Sequence, residues 1–77
     1  MNNEVTELNK ELLELSIIFK QNVKLWCFEN NTSLRELASL AGIKYHTLWN
    51  CFNKDEMIVT THILFGIYKI TGIRLID

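Results

Sequence analysis

The stretch from Ser33 to Asn53 constrains the fold most, because it sets a small residue, a glycine and several apolar residues at fixed spacings. Ala38 lies in the middle of a predicted helix, where only a small side chain lets a second helix approach closely. Gly42 follows four residues later, where the chain needs a positive φ that other residues resist. The positions predicted to face inward are Leu34, Leu37, Ile43, Leu48 and Cys51. This register predicts two short helices that cross steeply over a tight turn, a helix-turn-helix at residues 33–53.

Local signals give the bounds of these two helices. Ser33 and Glu36 are spaced as a capping box, in which the serine oxygen accepts from the Glu36 amide and the carboxylate reaches back. The first helix is predicted at about 34–41, with Gly42 ending it. The second is predicted at about 45–53, with Lys44 or Tyr45 at its start. A generic helical bundle with a glycine turn is the alternative interpretation of the same residues.

The remaining sequence is also helical in pattern, with no proline and three glycines. Residues 4–29 predict one long helix, and apolar residues at steps of three and four form a stripe along it: Val5, Leu8, Leu12, Leu15 and Phe19. The polar segment 29–32 ends this helix, because asparagine tolerates the left-handed conformation. A last helix is predicted from Thr60 or Thr61 to near Gly72. Residues 57–59 are interpreted as a buried loop, with a short strand as the alternative.

Length and charge bound the class of protein. The 77 residues predict a single all-α domain of four to five helices, in which residues 1–18 form an N-terminal helical extension. The net charge is −1, but residues 1–15 carry −3 and residues 16–77 carry +2, so most of the chain is weakly basic. No apolar run reaches the roughly 18–20 residues that span a bilayer, and no export signal opens the chain, so a cytoplasmic protein is expected.

The two cysteines, Cys27 and Cys51, lie among apolar residues without CxxC spacing. Free buried thiols are expected there rather than a disulfide. His46 and His62 do not lie at finger-like spacing from them, so no metal site is predicted. The sequence also contains no visible nucleophile–base–acid set, no catalytic carboxylate pair and no phosphate-binding glycine loop. We therefore expect neither an enzyme nor a cofactor.

Residues 19–73 resemble the Cro and CI-type phage repressor domain, often called the Xre family. The resemblance is carried by Ser33-Leu34-Arg35-Glu36-Leu37-Ala38, Ala41-Gly42-Ile43, Leu48-Trp49-Asn50-Cys51-Phe52-Asn53 and the segment 63–73. It implies a lambda-repressor-like fold whose second and third helices form the helix-turn-helix, and binding of operator DNA, usually as a dimer. The chain departs from many members in having Leu34 where they have glutamine, Lys54 where they have glycine, and no proline before the last helix.

The resemblance places the base-reading residues on the outer side of the third helix, at Lys44, Tyr45, His46, Trp49 and Asn50. Asparagine can pair with adenine, histidine can bond a purine edge, and aromatic rings can pack on a thymine methyl. Phosphate contacts are expected from Ser33, Arg35, Thr47, Asn53 and Lys54. Each has a plainer interpretation. Trp49 is expected to pack in the core, and Tyr45 and His46 can be an ordinary exposed pair. Lys20 and Lys24 are expected on a solvated face, from which either could reach a flanking phosphate.

Two functional hypotheses follow. The first is a sequence-specific DNA-binding transcriptional regulator of phage or bacterial type, acting as a homodimer on double-stranded DNA. The second is a protein-interaction module, an antirepressor or corepressor that binds another regulatory protein through a repressor-like fold. Under the first hypothesis the stripe residues Val5, Leu8, Leu12 and Leu15 are candidates for a dimer contact, or they cover the domain's own core. Under the second, the acidic N-terminal helix could dock in a groove on a partner.

Overall fold

The computed structural model describes residues 3–54 and 56–76, with the side chains of residues 3–6 outside that description. This part of the chain contains four helices and no strand: α1 Asn3–Glu29, α2 Leu34–Ala41, α3 Tyr45–Asn53 and α4 Thr61–Thr71. The predicted all-helical class is confirmed. Residues 57–59 form a loop with Val59 buried, so the loop interpretation of this segment holds and the strand alternative is wrong.

Helices α1 and α2 end in the same way, through one residue in the left-handed conformation. Asn31 has φ 51° after α1, and Gly42 has φ 71° after α2. In both cases the next amide donates 2.9 Å to the carbonyl five residues back, which closes a Schellman motif. The carbonyls left over at each helix end thereby gain partners, and the chain reverses within about three residues.

The predicted capping box at the start of α2 is confirmed. The Glu36 amide donates to Ser33 Oγ (3.0 Å), and the Ser33 amide donates to Glu36 Oε1 (3.3 Å). Helix α3 begins after Lys44 and α4 after Thr60, and neither of these residues makes a side-chain cap hydrogen bond. Helix α4 ends at Gly72, which has φ 76°.

All four helices and the loop before α4 contribute to one core. Its buried residues are Phe19, Val23, Leu37, Ala38, Ala41, Ile43, Leu48, Cys51, Phe52, Val59, Ile63 and Ile67. Four of the five residues predicted to face inward are among them, and Leu34 packs partly buried at the edge together with Trp26. The small size of Ala38, which is 1% exposed, fits its predicted place at the helix crossing.

Gly66 lets α4 pass close to the turn between α2 and α3. A Cβ atom at this position would lie 3.0 Å from the Ala41 carbonyl oxygen and 3.0 Å from Ile43 Cδ1. Because the nearest oxygen belongs to the backbone, it cannot rotate away from an added methyl group. Gly66 is therefore a close-approach residue, a role that the sequence analysis did not assign to it.

Lys20 is buried, so the prediction of a solvated face is wrong for this residue. Its side chain is 3% exposed, and Nζ donates to the carbonyl oxygens of Lys54 (3.0 Å) and Met57 (2.7 Å). One turn earlier on α1, buried Ser16 Oγ accepts from the Val59 amide (3.1 Å). Helix α1 thus holds the loop that leads from α3 to α4 through three hydrogen bonds.

Lys54 stands where many members of the resembled family have glycine, and its backbone conformation explains why a lysine fits there. Lys54 has φ −120° and ψ 103°, an extended conformation that any residue adopts, so α3 ends here without needing a glycine. Its carbonyl oxygen accepts from both Lys20 Nζ and the Met57 amide. The hydrogen bond from Lys20 on α1 thus gives this carbonyl a partner at the helix end, which a glycine cap would otherwise help to arrange.

The first part of α1 projects beyond the core. A 27-residue helix is about 40 Å long, and the longest dimension of the molecule is 43 Å. Burial on α1 begins at Ser16, whereas residues 7–12 are all exposed, including Leu8 at 58% and Leu12 at 39%. We call residues 3–15 the N-terminal arm. Leu8 and Leu12 do not cover the domain's own core, Leu15 is half-buried, and the side chain of Val5 lies outside the described residues.

Within the described ranges, no helix combines the length and the apolar character that crossing a membrane requires.

Candidate functional site

The outer side of α3 is defined by what the helix buries. Leu48, Cys51 and Phe52 face the core. With about 100° between successive residues, the side chains opposite this buried face are those of His46, Asn50 and Asn53. Tyr45 and Trp49 lie on one flank of this outer side, and Thr47 lies on the other. The predicted contact residues of α3 thus surround a single polar strip.

A hydrogen bond links the two central residues of the strip. Asn50 Nδ2 lies 3.1 Å from His46 Nε2, one helical turn away. For Asn50 to donate, the imidazole must be neutral and carry its proton on Nδ1. The amide then retains Oδ1 and one N–H, which are the two groups that pair with the N6 and N7 edge of adenine. The bond restricts the orientation of the amide before any ligand arrives.

Arg35 and Tyr45 join the start of α2 to the start of α3. The Arg35 guanidinium carbon lies 4.1 Å from the centroid of the Tyr45 ring, a cation–π contact. The ring itself is half-buried and packs against the core. Tyr45 therefore acts as a platform that positions an exposed cation, and less of its ring is free to pack on a base than the sequence analysis expected.

Trp49 is 43% exposed, so the expectation that it packs in the core is wrong. Its ring lines a surface groove of about 350 Å³ between α1 and α3, together with Lys24, Cys27 and Phe52. The adjacent Asn53 donates from Nδ2 to the Trp49 carbonyl (2.9 Å), so this amide is already engaged at the end of the helix. The orientation of Trp49 was missed because helical periodicity places it at the border between the buried and exposed faces.

Exposed cations surround the polar strip. Lys44 precedes α3, Lys54 follows it, and Arg35 and Lys24 lie on the neighbouring helices. Lys20 adds nothing to this surface because its ammonium group is bound by backbone carbonyls. The nearby carboxylate of Glu36 is occupied by the capping box. Lys24 belongs to this group of exposed cations, although the sequence analysis expected it on an ordinary solvated face.

Both cysteines are free thiols. Burial raises the pKa of Cys27. Burial also raises the pKa of Cys51, against a smaller opposing effect of the Lys20 charge. The two thiols therefore stay protonated near neutral pH, where a nucleophile or a redox sensor needs the thiolate. Among residues 3–54 and 56–76, no three histidine, cysteine, aspartate or glutamate side chains come together as a metal site would require.

In comparisons with known proteins, no family model matches the chain, and neither the curated proteins nor the solved structures gave a match. The chain's own geometry is therefore what indicates its function. That geometry consists of the polar strip on α3, the Arg35–Tyr45 pair beside it and the exposed cations at its edges.

Proposed function

We propose that this protein is a sequence-specific DNA-binding transcriptional regulator of the Cro/CI type, acting in the cytoplasm by inserting α3 into the major groove. The observation that carries the proposal is the bond between His46 and Asn50 on the exposed side of α3. It leaves a base-reading amide oriented outward on a helix short enough to enter the groove, which is about 12 Å wide. The proposal involves no catalytic step and no cofactor.

Phosphate contacts would come from the edges of the same surface. Arg35, Lys44 and Lys54 are exposed on both sides of the polar strip. The Ser33 hydroxyl and the side chains of Thr47 and Asn53 are polar and exposed beside them. Such contacts set the position of α3 without reading sequence. Their number is small, so we expect moderate affinity with a modest dependence on salt.

A homodimer would give the length of recognition site that one short helix lacks. Each protomer would place its α3 in one of two successive major grooves, with half-sites about one helical turn apart. The exposed stripe of the N-terminal arm, Leu8 and Leu12, is apolar surface available for pairing.

The test is binding of fluorescent double-stranded DNA, selected from a random pool, followed by anisotropy over a range of salt concentrations. We expect Lys44→Gln to weaken binding to all sequences and to lower the slope of log K against log[salt] by about 1, because one phosphate contact is lost. Asn50→Ala should instead reduce the preference for the selected site by about 1–3 kcal/mol while leaving the slope unchanged.

Lys10→Gln is the matched control, because Lys10 is an exposed lysine on the arm, away from α3. It should leave both affinity and slope close to wild type. Absence of any salt-sensitive binding at low ionic strength would contradict the proposal.

The alternative function is a protein-interaction module that binds another regulator. The observation that favours it is the unusual exposure of large apolar side chains, of which Phe28 is the most exposed at 84%. A large apolar side chain left in solvent can anchor a protein partner by burying its area in the contact. A chain that fails the DNA test but still binds a regulatory protein through Phe28 would fit the alternative.

A further inference from the structure

Besides the arm, the described part of the chain has an exposed apolar surface on α4. A groove of about 300 Å³ lies between α4 and the segment that follows it. Its walls are almost wholly apolar and include Leu64, Phe65, Tyr68, Ile73 and Leu75. Phe65 is 62% exposed at its edge. We call this surface the α4 groove. It shares no residue with α3.

The charges of the arm and the α4 groove are opposite. The arm carries Glu7, Glu11 and Glu14 on one flank of its apolar stripe, with Lys10 as its only basic residue. The segment from 57 to 76, which forms the groove, contains no aspartate or glutamate. Arg74 lines the groove, and the Lys69 ammonium lies 5.3 Å from the Phe65 ring centroid at its edge.

These charges distinguish two ways in which two copies can pair. Two arms packed against each other would bring together two segments that each carry an excess of glutamate, and like net charge disfavours association. An arm packed in the α4 groove of a second copy would instead set glutamates beside Lys69 at the edge of the groove. Leucines at i, i+4 and i+7 form one side of a helix, the pattern with which amphipathic helices bind apolar grooves.

We propose that two copies of the chain pair reciprocally, each laying its N-terminal arm in the α4 groove of the other. Two such contacts related by a two-fold axis form a closed dimer. The outer side of α3 takes no part in either contact. The inference deepens the homodimer of the proposed function, but its test contains no DNA, so its failure and the failure of DNA binding are separate results.

The test uses one variant for each surface, Leu12→Glu on the arm and Phe65→Glu in the groove. Both positions are exposed, so both variants should fold, which circular dichroism checks. In sedimentation equilibrium we expect wild type to dimerise and each variant alone to be monomeric. An equimolar mixture should regain a heterodimer, because the intact arm of the groove variant still fits the intact groove of the arm variant.

Leu40→Glu is the matched control, since it introduces the same charge at an α2 residue that is 62% exposed, as Phe65 is, and lies outside both surfaces. It should remain dimeric. Three results would each overturn the proposal. The first is a monomeric wild type. The second is a dimer formed by Phe65→Glu alone, which would indicate arm-to-arm pairing. The third is a mixture that forms no more dimer than either variant alone at the same total concentration.

Discussion

At the scale of single residues, Lys20 makes specific hydrogen bonds to a distant part of the chain. Its ammonium group is buried with two backbone carbonyls as partners, so the cost of removing a charge from water is offset by charge-assisted hydrogen bonds. These carbonyls belong to the end of α3 and to the loop beyond it. A positive charge is favourable there, because a helix C-terminus carries partial negative charge. Lys20 therefore stabilises the end of α3 from a distant part of the chain.

We expect Lys20→Met to destabilise the fold by about 2 kcal/mol. The Met57 carbonyl would lose its Lys20 partner, while Lys54 would keep the bond from the Met57 amide and the methionine would fill most of the volume. The measurement is urea denaturation followed by circular dichroism. Lys24→Met, one turn further along α1 and exposed, should change the free energy of unfolding by less than about 0.5 kcal/mol. Equal effects of the two substitutions would show that the buried hydrogen bonds contribute nothing.

At the scale of secondary-structure elements, the packing of α4 against the α2–α3 turn depends on the absence of a side chain. Gly66 is in the middle of α4, where glycine is a poor helix former, costing about 1 kcal/mol relative to alanine. The close approach of the Ala41 carbonyl explains why the position is glycine nonetheless. Packing between elements outweighs local helix propensity at this residue.

Gly66→Ala should therefore lower the free energy of unfolding by about 1 kcal/mol. Alanine gains helix propensity, but its Cβ would lie only 3.0 Å from the Ala41 carbonyl oxygen. Such overpacking typically costs about 1–3 kcal/mol. Thermal and urea unfolding measure the balance. Ser39→Ala, at an exposed position of α2, gains propensity without the contact and should stabilise by a few tenths of a kcal/mol. Stabilisation by Gly66→Ala would contradict the packing argument.

The elements themselves follow from local signals, which is why their bounds could be predicted. The ends of α1 and α2 depend on a residue that tolerates positive φ, and the start of α2 depends on Ser33 and Glu36, three residues apart. Such contacts are visible in sequence because their partners are neighbours. The candidate site on α3 was predicted for the same reason, since helical periodicity separates its outer side from Leu48 and Cys51.

What could not be predicted depends on contacts between distant residues. Lys20 and its carbonyl partners are 34 and 37 residues apart, and Ser16 and Val59 are 43 apart. The helical periodicity of α1 does not distinguish a lysine that reaches a distant loop from a lysine that lies in solvent. The exposure of Trp49 likewise depends on the tertiary arrangement, since its ring lines a groove between α1 and α3.

At the scale of the whole molecule, the proposed dimer would set the distance between two α3 helices, and DNA geometry makes that distance measurable. In a selected palindromic site, we expect half-sites about 10–10.5 base pairs apart, centre to centre. Inserting five base pairs between them should abolish cooperative binding, because the second half-site would then face the opposite side of the duplex. Gel-shift titrations of the two sites measure this. A scrambled sequence of the original spacing is the control, and unchanged cooperativity after the insertion would contradict a rigid dimer.

The unbroken course of α1 has a consequence for how such a molecule can change. Since one helix runs from Asn3 to Glu29 and Lys20 attaches it to the residue after α3, the arm and α3 have a fixed angular phase. One residue inserted before Ser16 would rotate Leu8 and Leu12 by about 100° about the axis of α1, with no change to α3 itself. Seven inserted residues would restore the phase to within about 20°. In the proposed dimer, the choice of partner and the choice of DNA site would thus be separable by the length of a single segment.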